Sequence, residues 1–83
     1  MVNAVCIRTS KGKIKRGFTV KNVKLEDCIR HAKTLGFRHI HANEFERFID
    51  DDRELLVLQG LTKYSFKRLD QYYRIGCMRT WGL

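Results

Sequence analysis

Histidine and cysteine side chains near the middle of the chain have spacings that could support metal binding. Cys28 and His31 are three residues apart on a predicted helix, and His39 and His41 are two apart on a predicted strand. Thiolate and imidazole are ligands that tetrahedral zinc prefers. The combined spacing matches no common zinc pattern, however, and Cys28 also belongs to an apolar helical stripe. We therefore expect a core thiol, with no metal and no other cofactor.

The same histidines raise a second chemical alternative, a small ribonuclease. Two imidazoles could move protons during RNA cleavage while a cation stabilises the developing phosphorane charge. The candidates for these roles are His39, His41, Arg38 and Tyr64. No motif requires this reaction, and both histidines would face outward if Ile40 faces the core. We favour a protein that is not an enzyme and assign no catalytic residue.

Basic side chains carry the strongest functional signal, and the first set of them lies near the start of the sequence. Its members are Arg8, Lys11, Lys13, Lys15, Arg16 and Lys21. No acidic residue occurs among the first 25 residues. Such cations on a hairpin can follow a phosphate backbone. The pattern therefore predicts contact with a nucleic acid, DNA or RNA, or with another acidic surface.

A second basic set belongs to the last predicted helix and consists of Lys63, Lys67, Arg68 and Arg74. Positions that are four or seven apart share one face of a helix, so most of these cations point the same way. Three aromatic residues lie nearby, namely Tyr64, Tyr72 and Trp81. Rings between cations suit stacking on single-stranded bases, and they suit the anchoring of a protein partner equally well.

Length, charge and composition limit the class of protein. The 83 residues include 17 Lys and Arg against 9 Asp and Glu, a formal net charge of +8. Summed by segment, the charge is +7 over 1–25, +1 over 26–43, −4 over 44–54 and +4 over 55–83. A hydrophobic content of 43% is too high for a disordered basic tail. No apolar run approaches the ~18 residues of a membrane span, and the early cations do not fit a secretory signal.

Cysteine usage and size indicate one domain in a reducing compartment. Three widely spaced cysteines do not form a disulfide framework. We therefore expect a cytoplasmic protein with no membrane association, organised as a single domain over 1–83. Its predicted parts are a basic β-hairpin over 1–23, a body of helices and strands over 24–76 and a tail over 77–83.

Turn residues and apolar periodicity predict the elements that position these groups. A hairpin from Val2 to Lys21 turns at Gly12, and its second strand places Ile14, Phe18 and Val20 on one face together with Arg16. That face is expected to join the core, with the lysines opposite. A helix follows, since its apolar positions form one stripe that ends at Gly36: Leu25, Cys28, Ile29, Ala32 and Leu35.

Residues 43–59 allow two interpretations. Asn43 could cap a short helix bearing Phe45, Phe48 and Ile49, followed by a buried strand over 55–58. Alternatively, 44–59 is a β-hairpin whose loop contains the aspartates 50–52. The acidic residues of 44–54 are expected to serve solubility, to attract the basic hairpin or to dock on a basic partner. Thr62 then caps a last helix with Phe66, Leu69 and Tyr73 on its apolar side.

Together these elements predict an α+β fold, with an N-terminal hairpin and a mostly antiparallel sheet packed on two or three helices. The favoured function is non-enzymatic nucleic-acid binding. The alternative is an inhibitor or adaptor of the kind that mobile elements such as phages make, which would bind a nucleic-acid-handling complex of the host. An exposed strand edge would also permit a homodimer.

Overall fold

Five strands and two helices follow one another in the computed structural model, which describes residues 1–73 apart from the side chains of Asp70, Tyr72 and Tyr73. In chain order they are β1 (Val2–Ser10), β2 (Lys13–Val23), α1 (Leu25–Thr34), β3 (Arg38–His41), β4 (Glu44–Ile49), β5 (Asp52–Gln59) and α2 (Lys63–Tyr73). The strands form one antiparallel sheet in the order β2-β1-β5-β4-β3. The predicted α+β class is confirmed, with two helices in the described part of the chain.

The N-terminal hairpin forms where the sequence predicts it. Its two-residue turn has positive φ at both positions, 53° at Lys11 and 79° at Gly12. This is the backbone of a type I′ turn, whose twist matches that of paired strands. The register then shifts, since Arg8 pairs with Arg16 but Thr9 pairs with Ile14. Lys15 is therefore an extra residue, and it turns Ile14 to the opposite face from Arg16 and Phe18.

Residues 44–59 form a β-hairpin, and the alternative of a short helix is wrong. β4 and β5 pair from Glu44 opposite Val57 to Ile49 opposite Asp52. The turn between them starts at Asp50, which has a φ of 55°. Aspartate tolerates this left-handed conformation better than most residues, which explains why an acidic pair can close the hairpin.

The core lies between one face of the sheet and the helices. Paired residues of an antiparallel sheet share a face, so the register sorts the side chains. The sheet side of the core consists of Val2, Ala4, Cys6, Phe45, Leu56 and Leu58. Onto it pack Leu25, Cys28, Ile29 and Ala32 of α1, together with Leu69 of α2. The opposite face of the sheet carries half-buried Val5, Ile7, Leu55 and Val57.

Both helices have the boundaries that their capping residues favour. After α1, Gly36 has a φ of 86°, and the amides of Gly36 and Phe37 donate to the carbonyls of Lys33 and Ala32. These two bonds form a Schellman motif. At the start of α2, the Ser65 amide donates to Oγ1 of Thr62 over 3.2 Å, which confirms the predicted cap.

One expectation about the core is wrong. β2 was expected to bury an apolar face, but every residue from Lys13 to Asn22 is exposed. Phe18 and Val20 remain 50% and 48% exposed, and Ile14, on the other face, is 74% exposed. β2 is an edge strand, and α1 does not cover it. The ends of the two predicted helical stripes are also partly open, since Leu35 is 40% and Phe66 39% exposed.

Candidate functional site

The predicted cations of the first basic set concentrate on the edge strand β2 and on its turn. Lys11, Lys13, Arg16 and Lys21 are exposed, and no carboxylate of the described residues lies within ion-pair distance of them. The strand has eleven residues, which corresponds to about 35 Å at ~3.3 Å per residue. The edge therefore presents a long, open row of positive charge.

Acidic residues lie beside one end of this row. Ser10 pairs with Lys13 on one side and with Asp52 on the other, so the β1–β2 and β4–β5 turns are neighbours at the same end of the sheet. Nζ of Lys15 lies 3.1 Å from Oδ2 of Asp52. Hydrogen bonding from Lys15 and Ser10 lowers the pKa of the Asp52 carboxyl. An acidic residue beside the β4–β5 turn thus binds the protein's own basic hairpin. This is one of the three roles that the sequence analysis expects for the acidic residues of 44–54.

Arg8, another predicted phosphate contact, is instead paired inside the protein. Its guanidinium donates to Oε2 of Glu54 over 2.8 Å, and Nε of Arg47 donates to Oε1 of the same carboxylate over 2.5 Å. Glu54 is only 3% exposed. Burial alone would raise its pKa, but the hydrogen bonds from the two arginines outweigh that effect and lower it. Glu54 is therefore charged at neutral pH.

A second buried carboxylate lies on the opposite face of the sheet. Glu46 is 8% exposed and accepts from Arg53 over 2.8 Å and from Arg38 over 3.1 Å. Burial raises its pKa, and the two arginines lower it by more. The sequence analysis missed both three-residue ion clusters. The hairpin interpretation of 44–59 could have revealed them, because it places acidic residues and arginines opposite each other on β4 and β5.

The second basic set is divided by the structure. Arg68 binds Oε1 of Glu26 on α1, and it also lies over the ring of Tyr64, with 5.0 Å between its guanidinium carbon and the ring centroid. Arg68 therefore holds α2 against α1. Lys63, Lys67 and Tyr64 remain exposed. Arg74 and Trp81 lie outside the described residues, as does the side chain of Tyr72.

The two basic sets do not form one surface. α2 follows Gln59, which pairs with Asn3 at the start of β1. The turn at Lys11 lies at the other end of that nine-residue strand, about 25–30 Å away. Only Lys21, near the end of β2, lies at the same end of the sheet as α2.

The histidines occupy different environments. His39 was expected to face outward, but it is 1% exposed and packs on Phe45, with 4.9 Å between the ring centroids. Its Nε2 lies 2.5 Å from the carbonyl oxygen of Ala42. His41 is exposed. His39 faces the core because it pairs with Phe45, whereas a register shift after it places His41 opposite Glu44, away from the core.

The structure therefore does not assemble the residues considered for catalysis or for metal binding. His39 is buried whereas His41 is exposed, and Tyr64 lies on α2. Cys28 is a buried thiol of α1, and burial raises its pKa. Within residues 1–73, no group of three or more His, Cys, Asp or Glu side chains is arranged to hold a metal ion.

An apolar groove lies beside the cationic edge. It runs between β2, β1 and α1 and has a volume of about 570 Å³. Its apolar lining includes Ala4, Cys6, Phe18, Val20, Cys28 and Ala32. The groove exists because α1 leaves the apolar side of β2 uncovered. The sequence analysis did not anticipate it, since alternation identifies a face but not what covers it.

No helix among the described residues is long and apolar enough to cross a membrane. Comparisons with protein-family models, with curated proteins and with solved structures found no match.

Proposed function

We propose that the protein is a non-enzymatic nucleic-acid-binding protein whose edge strand β2 supplies the phosphate contacts. The observation that carries this proposal is the row of exposed cations along β2, with no acidic residue on either strand of the hairpin. Each strand of duplex DNA carries one phosphate per ~3.4 Å of helix axis, so a row of ~35 Å can meet several of them.

The ion pairs of the structure refine which cations take part. Lys13, Arg16 and Lys21 are the principal contacts of the edge, and Lys11 extends it. Arg8, Lys15 and Arg68 have carboxylate partners within the protein, so each would lose an ion pair on binding phosphate. Lys63 and Lys67 of α2 supply a secondary contact at the Lys21 end of the sheet.

Salt-dependent binding tests this function directly. Affinity for duplex DNA, single-stranded DNA and RNA is measured by fluorescence anisotropy at several salt concentrations. Each phosphate neutralised on duplex DNA adds about −0.9 to the slope of log K against log salt. The double variant Lys13→Ala/Lys21→Ala should therefore flatten the slope by about 1.8 and weaken binding.

Arg30→Ala/Lys33→Ala is the matched control. It removes two exposed cations from α1, away from β2, and lowers the net charge equally. The control should bind almost as the unchanged protein does. Equal weakening by both variants, or absence of binding to all three nucleic acids at low salt, would overturn the assignment to β2.

A protein-binding inhibitor or adaptor is the second candidate, and the face of the sheet opposite to α1 and α2 favours it. Ile14 is 74% and Phe48 64% exposed there, in one cross-strand row with Thr9 and Arg53. Exposed apolar side chains next to an arginine are typical anchors of a protein interface. The partner would be a nucleic-acid-handling complex, as for inhibitors made by mobile elements.

A pull-down after nuclease treatment separates the two functions. A stoichiometric protein that is retained, and lost with Ile14→Asp/Phe48→Asp, supports the inhibitor. Heterogeneous nucleic acid that copurifies before nuclease treatment, with no protein retained afterwards, supports the nucleic-acid-binding function.

A further inference from the structure

Small side chains on β1 and α1 add depth to the groove that α1 leaves beside β2. β1 contributes Ala4 and Cys6 to the floor, and α1 contributes Cys28 and Ala32 to the facing wall. Larger side chains at these positions would fill the space between α1 and the sheet. The resulting volume of about 570 Å³ lies within the ~300–1,000 Å³ typical of small-molecule sites.

The outer wall of the groove is apolar and accessible. Phe18 and Val20 of β2 are about half exposed, at 50% and 48%, and Leu35 at the end of α1 is 40% exposed. Burial raises the pKa of the Cys6 and Cys28 thiols, so both are neutral at pH 7 and add no charge. An apolar group entering here would bury these three side chains together with its own surface.

One end of the groove is positively charged. The row of cross-strand neighbours that closes it contains Arg16 of β2, Arg8 of β1, Glu54 of β5 and Arg47 of β4. Three arginines against one glutamate leave a formal excess of two positive charges. Glu54 satisfies Arg8 and Arg47, whereas Arg16 has no carboxylate of the described residues in reach. On the α1 rim, Asp27 and His31 also line the groove, and Asp27 pairs with Arg30 over 3.5 Å.

We propose that this groove binds a small amphiphile with a negatively charged head, of the class of a medium-chain carboxylate. Its hydrocarbon chain lies against Phe18, Val20 and Leu35, and its carboxylate is held by Arg16. Arginine suits a carboxylate because its planar N–H donors match the two oxygens. The inference goes beyond nucleic-acid binding and stands independently of it.

Isothermal titration calorimetry of the full chain tests the site with three probes. Dodecanoate, below its micelle concentration, should bind with a stoichiometry of one. Dodecyltrimethylammonium has the same chain and the opposite charge, and it should bind at least about ten-fold more weakly, which corresponds to 1.4 kcal/mol. Butanoate has the same head and a short chain, and it should show no measurable heat of binding.

Two variants with the same change in net charge locate the head group. Arg16→Glu should weaken dodecanoate binding by at least about ten-fold. Lys21→Glu changes the charge equally on the same strand but does not line the groove, so it should stay within about two-fold of the unchanged protein. Both positions are exposed, so both variants should fold, and circular dichroism checks this.

Several results would overturn the proposal. They are no binding of dodecanoate, equal affinity for the cationic amphiphile, and equal weakening by the two variants. A concentration-dependent dimer that binds no dodecanoate would show that a second copy covers the groove instead. Because no nucleic acid is present in these titrations, failure here leaves the function of β2 in nucleic-acid binding to its own test.

Discussion

Strands β1 and β2 are hydrogen-bonded to each other along their length, and their sequences alternate in similar ways. In β1, Val2, Ala4 and Cys6 are each less than 10% exposed. In β2, which pairs with them through Val20 and Phe18, the corresponding side chains are about half exposed. The difference is one of position, because β1 lies between two strands and beneath α1, whereas within residues 1–73 β2 has one neighbouring strand and is not covered by a helix.

This contrast shows that alternation and burial are separate properties. Period-two alternation gives a strand two chemically different faces, but only the neighbours decide whether the apolar face leaves water. On β1 the alternating pattern contributes to stability. On β2 the same pattern forms the wall of a groove and the base of a cationic edge.

Two single substitutions of phenylalanines that lie on opposite sides of β1 should give the largest difference in unfolding free energy. Phe45 and Phe18 lie in the same cross-strand row, at 1% and 50% exposure. Phe45→Ala should cost about 3–5 kcal/mol of unfolding free energy. Phe18→Ala should cost about 1 kcal/mol, because much of its surface stays in water in the folded state. Urea denaturation measures both, and Phe45→Leu serves if Phe45→Ala does not fold. Similar costs for the two alanine variants would mean that β2 is covered after all.

The ion pairs of β1 and β2 should differ in the same direction, with the pair on β1 contributing more to the free energy of unfolding. Glu54→Gln removes the carboxylate that Arg8 of β1 shares with Arg47, and it should cost about 3 kcal/mol since two part-buried cations lose their partner. Asp52→Asn removes the partner of Lys15 on β2. Because Lys15 is exposed to solvent, the denaturation midpoint should barely move. A larger effect of Asp52→Asn would reverse this ranking.

Acid should destabilise the protein through the buried carboxylates. The folded-state pKa values of Glu54 and Glu46 are lowered, so their contribution is complete above the unfolded value of about 4.3 and is lost as the pH falls through the folded values. Denaturation midpoints at pH 7 and pH 3 measure this loss. Glu54→Gln should show a smaller loss between the two pH values than the unchanged protein, and an equal loss would show that Glu54 is not the linked group.

The two glycines of the hairpin should give the smallest effects, with opposite signs. Gly12→Ala places a side chain at a φ of 79° and should destabilise by about 1 kcal/mol. At Gly17 of β2, an added Cβ would lie 3.6 Å from the carbonyl oxygen of Cys6, an ordinary contact. Gly17→Ala should therefore stabilise by about 0.5 kcal/mol, by restricting the unfolded chain. Thermal unfolding of the two variants reports the signs, and destabilisation by Gly17→Ala would indicate a tighter β1–β2 contact.

Local signals in the sequence were sufficient for the N-terminal hairpin and for both helices. The turn at Gly12, the cap at Gly36 and the hydroxyl of Thr62 act within a few residues, so their effects can be derived without knowing the rest of the fold. Residues 44–49 were ambiguous because Phe45, Phe48 and Ile49 satisfy a helical stripe as well as a strand. Pairing with β5 decided the outcome, and that pairing is not local.

The candidate sites were predictable only in part for the same reason. Exposure of Lys11, Lys13 and Lys21 follows from the cost of burying an unpaired charge. The pairing of Arg8 with Glu54, 46 residues later, depends on which strands become neighbours. The groove depends on which strand is left at the edge of the sheet. Neither the pairing of Arg8 with Glu54 nor the edge position of β2 is encoded in one segment.

The strand order also has a consequence for how the chain folds. β1 and β2 form one local unit, and β3, β4 and β5 form another, so β1–β5 is the one pairing of the sheet between distant segments. Among the pairings of the described strands, joining these two units requires the largest loop closure and therefore carries the largest entropic cost. During synthesis, the N-terminal hairpin emerges first and keeps the inner edge of β1 unpaired until β5 has left the ribosome. In that interval β1 presents an unpaired strand edge, which is a place where aggregation can begin.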